Sequence, residues 1–179
     1  MKTFAKLITT AAILTSVSTF AAADIAGQVD VKLNISTGCK VNGSEVDGNI
    51  NNFGTLDFGK TSGTWTNVIT AELQSNGTSG DLEVVCDGAT DVPFTVEIDG
   101  GTRGDRTLAS ADTTITDKVN YSVYKDAGRT AEYVVNTPVD FTAVAGQSTK
   151  IPVFGSIAPN TVEKAQGEYK DTLLVNVSF

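Results

Sequence analysis

Two stretches of strict alternation bracket the sequence. Near its start Ile25, Gly27, Val29, Val31, Leu33 and Ile35 hold the odd positions, while Gln28, Asp30, Lys32 and Asn34 hold the even ones. At the other end Gly167, Tyr169, Asp171, Leu173, Val175, Val177 and Phe179 alternate with Glu168, Lys170, Thr172, Leu174, Asn176 and Ser178. A period of two places each set on one face of an extended strand. Between them the apolar positions fall in short runs rich in Val, Thr, Ile, Phe and Tyr. The runs are separated by the turn dipeptides Asn42-Gly43, Asp47-Gly48, Asn76-Gly77, Asp87-Gly88 and Asp99-Gly100. This pattern predicts strands over Thr55–Phe58, Val68–Gln74, Asp81–Cys86, Phe94–Asp99, Val119–Tyr124, Val139–Val144, Thr149–Phe154 and Lys170–Phe179. Helix signals are nearly absent. Short, regularly punctuated strands predict one all-β sandwich domain rather than a βαβ fold.

The first residues add a compartment. Lys2 and Lys6 precede an apolar, small-residue stretch from Leu7 to Phe20, and Ala21-Ala22-Ala23 follows. The stretch is too short and too rich in Thr and Ser to span a bilayer. It reads as a signal peptide over residues 1–23, cleaved after Ala23, with a signal anchor as the competing reading. The exported chain is then Asp24–Phe179, 156 of the 179 residues, with an N-terminal strand over 24–36 and a single domain over 37–179. Without Lys2 and Lys6, 11 of the 13 basic residues remain against 21 acidic ones, a formal net charge of −10. An acidic chain with no basic cluster argues against nucleic acid and anionic lipid as partners, and no later apolar run predicts membrane insertion.

Composition also narrows the chemistry. The chain has no histidine, which excludes Ser-His-Asp and Cys-His catalysis and nearly all zinc and copper sites. No cofactor or metal is expected, and no enzyme. The two cysteines, Cys39 and Cys86, both lie in the exported part. An even pair in an oxidising compartment reads as one disulfide, with a metal site or redox pair as the competing reading. The glycine- and threonine-rich stretch Gly59 to Thr66 lacks the ending of a phosphate-binding loop and reads as a loop with Trp65 partly packed on the sandwich. Arg103-Gly104-Asp105 spells a cell-adhesion tripeptide and is read as chance, on a turn between two strands. The sequons at Asn34, Asn42, Asn76 and Asn176 matter only in a eukaryotic secretory pathway.

The two alternating ends carry the functional expectation. An exported chain that opens on such a strand has either an ordinary edge strand or a segment meant for another molecule. The sequence stops on Phe179 in strand register, without the polar tail most domains carry. The expectation is a last strand that either pairs fully within its own sandwich or leaves an open apolar edge, which has to be covered.

At this point the residues resemble a known family. Gly167-x-Tyr169-x-Asp171, followed by alternating apolar residues to Phe179, is similar to the C-terminal motif of pilins handled by periplasmic chaperones. Along essentially the whole exported chain, the sequence resembles the spore coat protein U domain family, and within it the major subunits of archaic, Csu-type chaperone–usher pili. The segments that carry the likeness are Gly27-Gln-Val-Asp-Val-Lys-Leu-Asn-Ile-Ser-Thr-Gly-Cys39, Phe53-Gly-Thr-Leu-Asp-Phe-Gly-Lys-Thr-Ser-Gly-Thr-Trp65, Cys86-Asp-Gly, Ile98-Asp-Gly-Gly101, Tyr133-Val-Val-Asn136, Phe154-Gly-Ser-Ile-Ala-Pro-Asn160 and Ala165-Gln-Gly-Glu-Tyr-Lys-Asp171.

The resemblance implies an incomplete immunoglobulin-like β-sandwich, completed by a donor strand from a chaperone or a neighbouring subunit. It implies that Ile25, Gly27, Val29, Val31, Leu33 and Ile35 form the donor face. Tyr169, Leu173, Val175, Val177 and Phe179 would form the acceptor groove and chaperone-binding strand. The implied partners are other copies of the chain, a periplasmic chaperone, an outer-membrane usher and minor or tip pilins. The implied function is a structural subunit of an adhesive surface pilus, exported through the periplasm and involved in attachment and biofilm formation. A secreted spore-coat or matrix protein of the same fold is the alternative. Tip adhesins in this family carry an extra N-terminal domain, so a single-domain length fits a rod subunit.

Overall fold

The computed structural model describes residues 32–33, 38–41, 51–75, 78–79 and 81–179. The chain divides into two units, Met1–Ile35 and Ser36–Phe179, and the fold described below is that of the second. The signal segment, Asn34, Asn42-Gly43, Asp47-Gly48 and Asn76-Gly77 lie outside the described residues.

The described residues are all-β, with no helix. The strands are β1 (Gly38–Val41), β2 (Thr55–Leu56), β3 (Ile69–Ser75), β4 (Thr78–Ser79), β5 (Leu82–Asp87), β6 (Val92–Ile98), β7 (Thr107–Ser110), β8 (Lys118–Asn120), β9 (Ser122–Tyr124), β10 (Val139–Ala143), β11 (Ser148–Ile151), β12 (Phe154–Ile157), β13 (Tyr169–Lys170) and β14 (Val175–Ser178). They form antiparallel sheets in the orders β1-β5-β11, β10-β6-β14, β2-β3-β12-β9 and β13-β7-β8, with β4 also on β3.

Alternation builds the core. On β5 the side chains of Leu82, Val84 and Cys86 are buried, as are Phe94, Val96 and Ile98 on β6, while the residues between them are not. These six meet Leu73, Val123, Tyr133, Ile151 and Ile157 in one hydrophobic cluster. Across the β10-β6-β14 sheet the register sets Val139 and Val177 on either side of Val96, and Val175 opposite Ile98. Phe94 stacks on Phe141 at 5.5 Å between ring centroids and lies 5.6 Å from the Phe179 ring. Gly155 on β12 lets another pair close: a Cβ there would come within 2.7 Å of both Leu56 and Phe58 side chains. Trp65 is half-buried, bridges to Asn160, and donates its indole N–H to the Ala158 carbonyl at 2.7 Å.

Three predicted strands are each two strands, and each break has a physical cause. The run Val119–Tyr124 divides at Tyr121, whose N–H bonds to the Arg106 carbonyl at 3.0 Å; β8 therefore pairs with β7 and β9 with β12. The run Thr149–Phe154 divides at Pro152, which has no N–H for a ladder. Beyond it the Val153 carbonyl accepts from Leu73 N–H, and β12 continues to Ile157. The run Lys170–Phe179 divides between β13 and β14, in different sheets. Strands β1 and β7 carry too little alternation to be read from sequence: GCKV and TLAS each mix small and polar residues.

Candidate functional site

β14 pairs with β6 on one edge and with no other strand among the described residues. β1 pairs with β5 on one edge and is likewise unpaired on the other among the described residues. Both open edges border the same cleft, of about 1390 Å³. One wall is residues 171–179. The other is Cys39, Lys40 and Val41 of β1 together with residues 51–56 and Phe58. Leu73, Leu82, Ile98 and Val153 supply apolar lining from the core. A cleft with apolar lining from the core, between two strand edges unpaired among the described residues, presents backbone donors and acceptors on both sides, the surface with which an extended segment can pair.

Cys39 and Cys86 are cross-strand partners of β1 and β5, joined as a disulfide. Cys86 is buried and Cys39 lines the cleft, so the bond ties one wall to the core.

The predicted acceptor residues divide. Leu173, Val175 and Val177 are half-buried, packed against the core and on the cleft wall. Phe179 lines the cleft and is 56% exposed. Tyr169 is elsewhere: it sits on β13 opposite Ser110, its hydroxyl donates to the Ala165 carbonyl at 2.8 Å, and it does not line the cleft. Of the predicted donor residues, Ile25, Gly27, Val29, Val31 and Ile35 lie outside the described residues. Leu33 is exposed and in no strand.

One polar cluster at the cleft was not anticipated. The Asp171 carboxylate, with its side chain 2% exposed, accepts from the Thr102 N–H at 3.0 Å, from Arg103 at 3.1 Å and from the Tyr121 hydroxyl at 2.7 Å. Arg103 also donates to the carbonyls of Lys170 and Thr107. The adhesion-like tripeptide does lie on a turn between two strands, and its arginine is committed to these internal contacts. Arg106, buried nearby, donates to the carbonyls of Ile98, Asp99 and Tyr133. Burial lowers its pKa, and the nearby Glu132 carboxylate opposes that shift. The motif spacing Gly-x-Tyr-x-Asp was the available signal for Asp171, but nothing in the sequence pointed to its partners 50 to 69 positions away.

The buried phenols make a test of the packing. Burial, reinforced by the hydrogen bond to Asp171, pushes the Tyr121 pKa far above its ordinary 10.0. Burial does the same to Tyr133, which is 0% exposed. Above pH 10 the unfolded chain ionises while the folded one stays protonated, so stability is complete below about pH 10 and falls as pH rises further. The expected slope is about 1.4 kcal/mol per pH unit for each tyrosine. Urea midpoints between pH 8 and 11 measure it, and Tyr121→Phe is expected to remove about half. A flat profile would contradict the burial described.

Among the described residues no group of three or more His, Cys, Asp or Glu side chains could hold a metal ion. Among them, too, no helix is long and apolar enough to cross a membrane.

Comparison with known proteins gives a family. No curated protein matches the sequence. The chain is similar to a crystal structure of the CsuC–CsuE chaperone–tip adhesion subunit pre-assembly complex from archaic chaperone–usher Csu pili of Acinetobacter baumannii. The identity is 19% and the TM-score 0.45, over 81% of this chain and 40% of that chain. The chain thus spans well under two thirds of that neighbour's length. Residues 25–176 match the model of the Spore Coat Protein U domain. With the match running over most of its length, the chain belongs to the Spore Coat Protein U domain family.

Proposed function

We propose that this protein is a structural subunit of an adhesive surface pilus, a rod subunit that polymerises by donor-strand exchange. Its exported N-terminal segment, with Ile25, Gly27, Val29, Val31, Leu33 and Ile35 on one face, enters the cleft of the next copy. A periplasmic chaperone strand fills that cleft beforehand, and an outer-membrane usher passes the subunits to the cell surface, where the fibre serves attachment and biofilm formation.

The cleft between the open edges of β1 and β14 carries this reading. Rows of apolar side chains run across the sheet from Val139 through Val96 to Val177, and from Ile98 to Val175, and stop at the cleft. A strand with apolar residues on alternate positions would continue them. Burying four to six aliphatic side chains gives a gross gain on the order of 10 kcal/mol, reduced by the cost of ordering the segment. The family supports the reading, as does the resemblance of the terminal motif to pilins. A fibre subunit of this kind needs no catalytic group.

Deleting Asp24–Ile35 tests it. Light scattering of the purified exported chain is expected to show polymers for the intact chain and none for the deletion, whose melting temperature is expected to drop. A deletion form that still polymerises, or a monomer of unchanged melting, contradicts the proposal.

A further inference from the structure

The alternation from Gly167 to Phe179 is that of one unbroken strand, yet the chain changes sheets within it. Tyr169 and Lys170 pair with β7, whereas Val175 to Ser178 pair with β6. The crossing takes only residues 171–174, and a carboxylate holds each end. At its start Asp171 is fixed by Thr102, Arg103 and Tyr121, and Arg103 also clamps the preceding Lys170 carbonyl. At its finish the Leu174 N–H donates to the Asp99 carboxylate at 2.9 Å, and the Asp99 N–H returns a bond to the Leu174 carbonyl at 3.1 Å. Gly101 adopts φ +76° beneath the Asp171 carboxylate, where a Cβ would lie 2.0 Å from Oδ2. That turn leaves room for this one carboxylate and no side chain of its own.

We propose that Asp171 is a positioning residue for the cleft. It anchors the crossing that sets the register of β14 on β6, and so aims Val175, Val177 and the free edge of β14 into the cleft. Its role in assembly rests on the reading of the cleft as a strand acceptor; its hold on β14 does not. Without the anchor, the alternation of 167–179 allows β13 to run on, and a slip of one residue turns the apolar row to the wrong face. Although residue 171 is part of the cleft wall, its side chain is 2% exposed and committed to Thr102, Arg103 and Tyr121, so the carboxylate acts through β14.

Hydrogen–deuterium exchange on the intact exported chain reads the anchor directly. In Asp171→Asn the β14 amides are expected to exchange at least about tenfold faster, while those of β3 and β5 keep their rates. Tyr121→Phe, which removes one of the three bonds and keeps the ring, is expected to act in the same direction but less. Asp126→Asn is the control: Asp126 holds its own turn through Thr130 and Ala131, and its loss is expected to leave β14 unchanged. Unchanged β14 exchange in Asp171→Asn, or acceleration by the same factor across β3 and β5, overturns the proposal. Assembly of the freshly refolded intact chain, followed by light scattering, is expected to slow at least about tenfold in Asp171→Asn. Normal assembly despite loosened β14 overturns the link to the cleft. If the unsubstituted chain does not assemble at all, the acceptor reading fails, while exchange still decides the role of Asp171.

Discussion

Val177→Asp is expected to abolish polymerisation while leaving a folded domain. Val177 is half-buried beside Val96 and lies on the open wall of the cleft. In the empty cleft a carboxylate at this position can turn towards water, so the domain loses little more than the contacts of a partly buried valine, about 1–2 kcal/mol. An inserted strand removes that water. A carboxylate left buried without a partner then costs about 3–5 kcal/mol, or two to three orders of magnitude in affinity. Ser178→Asp is the control: Ser178 is on the same cleft wall but is exposed and lies on the alternate face of β14 from Val177. Its expected effect is within about 0.5 kcal/mol. Sedimentation of the two variants distinguishes them. Equal loss of assembly in both would mean that charge near the edge, rather than the Val175–Val177 face of β14, governs the joint.

Cys39→Ser is expected to produce the second large effect. The disulfide spans a sequence separation of 47, and in the chain-entropy picture its removal costs about 4 kcal/mol. For a domain of this size that lowers the melting temperature by about 10 °C. The location of the bond adds a functional consequence. β1 is four residues long and is held by β5 alone among the described strands, so an untethered β1 can leave and take one wall of the cleft with it. Calorimetry on the purified variant and on the reduced parent measures the stability term. Light scattering then reports whether assembly falls further than stability alone accounts for. A melting temperature unchanged within about 2 °C would contradict the structural role assigned to the bond.

The parts of this fold that were legible in the sequence are those in which local pattern and burial agree. Leu82, Val84 and Cys86, and likewise Phe94, Val96 and Ile98, alternate in the sequence and alternate in burial. The pairing of Cys39 with Cys86 followed from there being only two cysteines in an exported chain. What was not legible is where a strand changes sheets. Tyr121 looks like any aromatic strand residue, and only the Arg106 carbonyl and the Asp171 carboxylate turn it into a crossing point. Pro152 was a local signal for a break, and the apolar run on either side of it masked that signal. Asp171 falls in step with an apolar face of the alternation, although its three partners Thr102, Arg103 and Tyr121 hold it buried. The resemblance places Tyr169 with the acceptor strand, and the crossing at 171–174 puts it on another sheet. The β1 part of the second wall was not legible for a simpler reason: GCKV has no periodicity to read.

Supplying the missing strand in cis tests the central claim most directly. In a chain that lacks Asp24–Ile35 at its start and carries that segment after Phe179 through a short flexible linker, the donor can reach only the cleft beside β14. Mass by light scattering and melting temperature are the readouts, compared with the deletion alone. The expected result is a monomer that does not polymerise and melts well above the deletion form, with the gain lost when Val177→Asp is added. A fused chain that melts no higher than the deletion form would contradict it.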